Sequence, residues 1–198
     1  MKRWHRFAIA VAIAALVPAA GGATYAAYRA TSTNDGNEIE AGSVKLSDNG
    51  DGSALVSLSG AVPGDVSTAC FRVTYDGTLP ATVRLHGTTT GSGLDQYLSL
   101  KVTRGTYSPS TPAYRSCTNF QADGTDYIGA GNGVIYNGTL QGYPDDYASG
   151  LVDPTSGSPE SWTTGEAHVY RIDVTLQQNF AAQGKDAAQT FRWEARNQ

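Results

Sequence analysis

Histidines and carboxylates are the side chains of this sequence that could hold a metal ion or catalyse hydrolysis. Beyond residue 26 the sequence contains two histidines, His86 and His168, and no HExxH motif. Zinc catalysis needs two or three positioned ligands, so a three-histidine site is impossible and a site of two histidines and a carboxylate needs distant residues to converge. His86 shares the polar phase of a strand with Arg84, and His168 lies two residues after Glu166. We therefore predict that both histidines are solvated or hydrogen-bonded surface side chains.

The middle of the chain is rich in aspartate and tyrosine. The aspartates could bind calcium or act on a glycosidic bond, but in segments rich in Gly, Pro and Ser they more often stabilise turns, which is the role that we predict. The tyrosines could form a platform for sugar rings, although tyrosines more often cover one end of a sandwich with their hydroxyls in water. Because no GxSxG motif is present either, we predict no catalytic residue, cofactor or resident metal. The residues concerned are Asp123, Asp126, Asp145, Asp146, Asp153, Tyr127, Tyr136, Tyr143 and Tyr147.

Cys70 and Cys117 are the two cysteines of the sequence. An even count predicts one disulfide if the chain is exported, as the leader pattern described below indicates, and two buried free thiols are the alternative. The bond would close a long loop and stabilise the fold by about 4 kcal/mol in the chain-entropy model.

The stretch KLSDNGDGSALVSL, residues 45–58, contains the residue types of a calcium loop. The frame that begins at Asp48 has glycines at ligand positions 3 and 5, and the frame that begins at Asn49 has Ala54 in place of the glycine at position 6. Apolar residues alternate on both sides of the Asn-Gly and Asp-Gly pairs, which are the strongest turn pairs of hairpins. The stretch therefore predicts a β-hairpin.

The N-terminus has the pattern of a secretory signal peptide. A basic start precedes an apolar run over residues 7–17 and a small-residue site that predicts cleavage between Ala26 and Ala27. The alternative is a retained anchor, because residues 7–28 carry no charge and are long enough to span a bilayer. Cleavage removes three of the 14 basic residues and none of the 18 acidic ones, so the formal charge changes from −4 to −7. Such an acidic chain is not expected to bind nucleic acid or, once cleaved, a membrane.

Period-two alternation dominates the remaining sequence and predicts half-buried strands. No long segment has a helical period, and the one helix candidate is short, over residues 140–149. We therefore predict an all-β protein of two packed sheets, with one long irregular insertion over residues 105–165. The predicted strands cover residues 44–47, 54–59, 71–75, 81–88, 98–103, 170–176 and 191–195.

Three parts of the chain resemble one family of secreted bacterial proteins. The leader ends in GGATYAAY, the next part reads EAGSVKLSDNGDGSALVSLSGAVPGD and then LPATVRL, and the chain ends with YRIDVTL and QGKDAAQTFRWEA. The leader is similar to those cut by SipW-type signal peptidases, and the order of segments resembles the TasA/camelysin (CalY) family. The central region and the cysteine pair have no counterpart in that resemblance.

The resemblance implies an antiparallel jelly-roll β-sandwich that is secreted as a biofilm-matrix or cell-surface fibre subunit. Its partners would be further copies of itself, other matrix or cell-wall components and a dedicated signal peptidase. The N-terminal segment of one subunit would complete the sheet of the next by strand addition. The donor would be Ala27, Tyr28, Arg29, Ala30, Thr31 and Ser32, which divides the chain into a signal peptide (1–26), a donor and linker segment (27–37) and one sandwich domain (38–198).

Two other functions remain open at this point. The first is an extracellular carbohydrate- or surface-binding module or adhesin, for which the tyrosines would form a flat exposed platform. The second is a metal-dependent endopeptidase like that described for the camelysin branch, for which His86, His168 and a carboxylate would have to converge.

Overall fold

Strands with alternating buried and exposed side chains form nearly all of the regular structure. The computed structural model describes residues 28–32, 46–48, 61–152, 154–155 and 158–197. The strands are β1 (Tyr28–Ser32), β2 (Leu46–Asp48), β3 (Val66–Tyr75), β4 (Ala81–Gly91), β5 (Leu98–Tyr107), β6 (Phe120–Ala122), β7 (Val134–Thr139), β8 (Leu151–Val152), β9 (Pro154–Thr155), β10 (Ser158–Pro159), β11 (Ser161–Trp162), β12 (Ala167–Leu176) and β13 (Ala187–Asn197). The five predicted strands after residue 70 each lie within one of these elements.

The strands form two main sheets. The first sheet has the order β1-β13-β4-β11, with β8 also pairing β4, and the second has the order β2-β3-β12-β5-β6, with β7 also pairing β5. Strands β9 and β10 pair with each other. Among the described strands every pairing is antiparallel except that of β1 with β13. The predicted all-β sandwich is confirmed.

Aromatic side chains join the two sheets in the core. Phe71 and Tyr170 of the second sheet contact Trp193 of the first, with ring centroids 4.7 and 5.3 Å apart. All three rings are almost completely buried. Burial of each such side chain stabilises the fold by about 1.5 to 3 kcal/mol, so this contact fixes how the sheets face each other.

The central insertion is more regular than the sequence predicts. Strands β6 and β7 both pair with β5, so part of residues 105–165 extends the second sheet. The predicted helix over residues 140–149 is reduced to a 3₁₀ turn, Leu140–Gly142. Tyr143, which precedes Pro144, has extended backbone angles, because a residue before proline is disfavoured in the helical region. Two further 3₁₀ turns are Asp95–Tyr97 and Phe180–Ala182.

The predicted hairpin over residues 45–58 falls mostly outside the described residues. Its first strand is represented by β2, which pairs with the end of β3. The turn and the second strand, residues 54–59, are not among the residues that the structure describes.

Candidate functional site

A group of charged side chains lies between the sheets at the end where β12 begins, which we call the polar end. Arg104 is at its centre and is 6% exposed. Its Nη2 lies 2.7 Å from Glu160 Oε2 and 2.8 Å from His168 Nδ1. Its Nη1 lies 3.0 Å from Asp123 Oδ2 and donates to the Tyr127 hydroxyl over 2.8 Å. The Arg104 cluster consists of Arg104, Asp123, Tyr127, Glu160, Glu166 and His168.

Strands β5 and β12 position Arg104 and His168 in this cluster. Arg104 continues the inward-facing series Leu98, Leu100 and Val102 of β5, and His168 continues the inward-facing series of β12. The alternation that buries apolar residues along each strand therefore buries a charged residue at the strand end. An arginine in the apolar phase of a strand was the sequence feature that could have revealed this cluster, and the sequence-based prediction missed it.

The insertion supplies acidic partners of Arg104 and forms hydrogen bonds to the Arg104 backbone. Asp123 N–H donates to the Arg104 carbonyl over 3.1 Å, and Arg104 N–H donates to the Gly133 carbonyl over 2.7 Å. A Cβ at Gly133 would lie 2.4 Å from the Arg104 carbonyl oxygen, and its φ is +73°. Glycine is therefore required for this close approach. The cluster thus holds together segments that are far apart in the sequence.

Burial and neighbouring charges shift the protonation equilibria of the cluster. Burial lowers the pKa of His168, and the Arg104 charge lowers it further, against the opposing effect of Glu166. Burial raises the pKa of Glu160, although Arg104 offsets part of that effect. Burial also acts to raise the pKa of Glu166, but hydrogen bonds from Thr163 and His168 outweigh it and leave that pKa below its usual value.

Three members of the cluster have the arrangement of a metal-ligand set. One ligand atom each from Glu160, Glu166 and His168 lies within 4.8 Å of the others. His168 Nε2 is 3.1 Å from Glu166 Oε1 and 3.8 Å from Glu160 Oε2. The Arg104 guanidinium contacts Glu160 and His168 directly, so it already supplies the positive charge that a cation would bring. A metal ion would have to displace this guanidinium.

His86 does not join His168. It lies on the outer face of the first sheet, where its Nε2 is 3.0 Å from Glu194 Oε2. His86 is 5% exposed, so its predicted hydrogen bond is present but its predicted surface position is wrong. His168 is likewise half-buried rather than solvated. Loop residues around Tyr147 and the neighbouring side chains of β13 cover this face of the sheet, which the strand pattern alone did not indicate.

The tyrosines of the insertion do not share one platform. Tyr127, Tyr136 and Tyr147 donate their hydroxyls to Asp123 Oδ2, to the Thr139 carbonyl and to the Thr82 carbonyl. The prediction that the hydroxyls point into water is therefore wrong for these three. Tyr143 is buried between Tyr136 and Phe191, with ring centroids 5.3 and 5.2 Å away. Tyr143 and Tyr147 therefore fasten the insertion to the first sheet.

The predicted turn aspartates behave in two ways. Asp126 accepts from Gly129 N–H, and Asp146 accepts from Ser149 N–H, each over 2.8 Å, as expected of turn residues. Asp123 instead belongs to the Arg104 cluster. Asp145 is exposed, and Asp153 lies outside the described residues.

Cys70 and Cys117 form the predicted disulfide, which confirms the pairing. The bond ties β3 to the segment between β5 and β6. Cys70 N–H donates to the Arg115 carbonyl over 3.2 Å, and the Tyr107 hydroxyl donates to the Ser116 carbonyl over 3.2 Å. This part of the insertion is therefore fixed on the second sheet independently of the Arg104 cluster.

The predicted donor segment lies at an edge of the first sheet. Residues Tyr28–Ser32 pair in parallel with β13, with Tyr28 opposite Gln189 and Ser32 opposite Trp193. Ala27 and the predicted cleavage site at Ala26 lie outside the described residues.

An apolar groove of about 490 Å³ opens at the other end of the sandwich, which we call the apolar end. Phe180 and Val62 on its rim are 93% and 60% exposed. Other residues that line it include Pro63, Leu94, Leu176 and Ala182. Within the described residues no helix is long and apolar enough to cross a membrane.

No protein-family model matches this chain, and no curated protein is significantly similar to it. The resemblance to the TasA/camelysin family stays a prediction.

Proposed function

We propose that this chain is a secreted structural protein that assembles head to tail into biofilm-matrix or cell-surface fibres by strand donation. The observation that carries the proposal is the position of β1. It is the outermost strand of the first sheet and pairs with β13 through five residue pairs. A short strand at a sheet edge, joined by backbone hydrogen bonds, is a contact that a second copy can supply equally well.

The connection after β1 is long enough for exchange. Thirteen residues, 33–45, separate β1 from β2, and an extended chain of that length reaches about 45 Å. When β1 leaves its own sheet, the edge of β13 beside the buried residues Phe191 and Trp193 loses its backbone partner. Each copy would then donate its β1 to one neighbour and accept β1 from another beside its own β13. Such a heterologous contact grows into filaments unless the copies close into a ring.

The disulfide and the leader support an extracellular location. Disulfides persist in oxidising compartments and are rare in reducing ones. The leader pattern adds a signal peptidase as a transient partner, and cleavage after Ala26 would free Ala27 and the rest of the donor segment.

Cross-linking between single-cysteine variants tests the exchange. Thr31 lies opposite Arg192 in the β1–β13 pair. Neighbouring strands are about 4.8 Å apart, which lies within the Cα range that a disulfide bridges. Mature Thr31→Cys and Arg192→Cys proteins, mixed and oxidised, should form a covalent heterodimer. A control mixture of the Thr31→Cys and Asp126→Cys proteins should not. Absence of the heterodimer would contradict strand donation between chains.

Negative-stain electron microscopy tests the assembly itself. The mature protein, starting at Ala27, should form filaments at neutral or acidic pH, since acid lowers the repulsion between acidic subunits. A protein that starts at residue 33 should stay monomeric. Equal filaments from both proteins would show that the donor segment is not the link.

A further inference from the structure

The apolar end displays an apolar side chain on a hydrogen-bonded turn. Phe180 begins the 3₁₀ turn Phe180–Ala182 between β12 and β13. Asn179 caps this turn, because its Oδ1 accepts from Ala181 N–H over 3.0 Å, and Gln183 N–H donates to the Phe180 carbonyl over 3.1 Å. The fold therefore holds a phenylalanine, 93% exposed, beside an apolar groove. An exposed apolar patch of this kind marks a contact surface.

The parallel direction of β1 determines which end the leader approaches. Tyr28 lies opposite Gln189, near the start of β13, and the turn that carries Phe180 directly precedes β13. Strand β1 consequently begins at the apolar end. The apolar run over residues 7–17 is separated from Tyr28 by ten residues, which reach about 35 Å when extended.

We propose that the apolar end is the membrane-facing surface of the uncleaved chain, and that Phe180 and Val62 enter the interfacial layer of a phospholipid bilayer. The apolar run of the leader directs the chain to the bilayer, and the register of β1 places Phe180 and Val62 at the end of the sheet where β1 begins. The attraction of the sandwich is apolar, because the chain beyond residue 26 has a formal charge of −7 and gains nothing from anionic lipid. The contact ends when cleavage releases the sandwich from the leader. This inference does not depend on fibre formation.

Fluorescence quenching in zwitterionic vesicles tests the orientation. The full chain, residues 1–198, is inserted into phosphatidylcholine vesicles that contain a lipid-borne quencher. An environment-sensitive dye is attached in one variant through Phe180→Cys and in a control through Ile128→Cys. Ile128 is 51% exposed and follows Tyr127 of the Arg104 cluster, so it reports on the polar end. The native cysteines are paired and do not take the label.

The dye at position 180 should be quenched several-fold more strongly than the dye at position 128, and Val62→Asp should weaken the quenching at position 180. Equal quenching at both positions would overturn the proposal. Shielding of position 180 without lipid would also overturn it: concentration-dependent shielding would assign the groove to a second copy, and concentration-independent shielding would assign it to the leader. The filament experiments use protein that starts at Ala27, so their outcome and this one are separate.

Discussion

The polar end and the apolar end of the sandwich reverse the usual distribution of side chains. At the polar end Arg104 is 6% exposed, with its charge matched by carboxylates from distant segments. At the apolar end Phe180 is 93% exposed beside a groove of apolar side chains. A buried charge must be paired within its own fold. An exposed apolar side chain costs the fold little free energy of unfolding and remains accessible to a partner. We therefore assign a structural role to the polar end and propose a contact role for the apolar end.

Removal of the central cation should give the largest effect. Arg104→Met removes the buried partner of the half-buried carboxylates of Asp123 and Glu160, which should cost about 3 to 5 kcal/mol of unfolding free energy. Chemical denaturation measures it, with Lys101→Met on the exposed face of the same strand as control. Equal stability of the two variants would show that the cluster does not hold the polar end together.

Loss of the disulfide should rank second. The Cys70→Ala, Cys117→Ala double variant frees a loop with a sequence separation of 47 residues, and the expected cost is about 2 to 4 kcal/mol. Denaturation of the variant and of reduced native protein should agree. A double variant that unfolds like the oxidised native protein would mean that the other contacts of the insertion hold it in place without the disulfide.

The pH dependence of stability should come partly from His168. Its pKa in the fold lies below the unfolded value of about 6.5, because burial and Arg104 disfavour the imidazolium. The stabilising contribution is therefore complete above pH about 6.5 and is lost as the pH falls through the folded pKa. Glu160, with a raised pKa, acts in the opposite direction, so its contribution declines as the pH rises above about 4.5.

Stability curves of native protein and His168→Gln between pH 7 and pH 5 should diverge in slope, the variant being flatter. Thr175→Ser, a non-titrating change on the same strand, should keep the native slope. Parallel curves for native protein and His168→Gln would remove His168 from the pH response.

The smallest effect is expected at the apolar end. Phe180→Ser should change the unfolding free energy by no more than about 0.5 kcal/mol, because the side chain is almost fully exposed. It should nevertheless reduce the binding of a hydrophobic dye more than Ile128→Ser does. A loss of stability comparable with that of Arg104→Met would contradict the contrast between the two ends.

Strand positions were predictable wherever the alternation was regular. The segments around Phe71, Leu98 and Tyr170 alternate without interruption, and each is a strand of ten residues. Strand β7 was missed because Asn137 and Gly138 break its alternation, although its pairing with β5 compensates for their weak strand preference. Arg104 was missed as a cluster centre because its carboxylate partners come from segments without a regular period.

The sequence by itself determined the class of fold, because side-chain alternation acts locally, and it favoured the disulfide without excluding two free thiols. Only the tertiary structure decided which charges meet. Asp123, Glu160 and His168 are brought to Arg104 by loop paths that no short-range pattern encodes. The tertiary structure also decided that β1 pairs in parallel with β13, since backbone hydrogen bonds between distant strands carry no sequence signature of their direction.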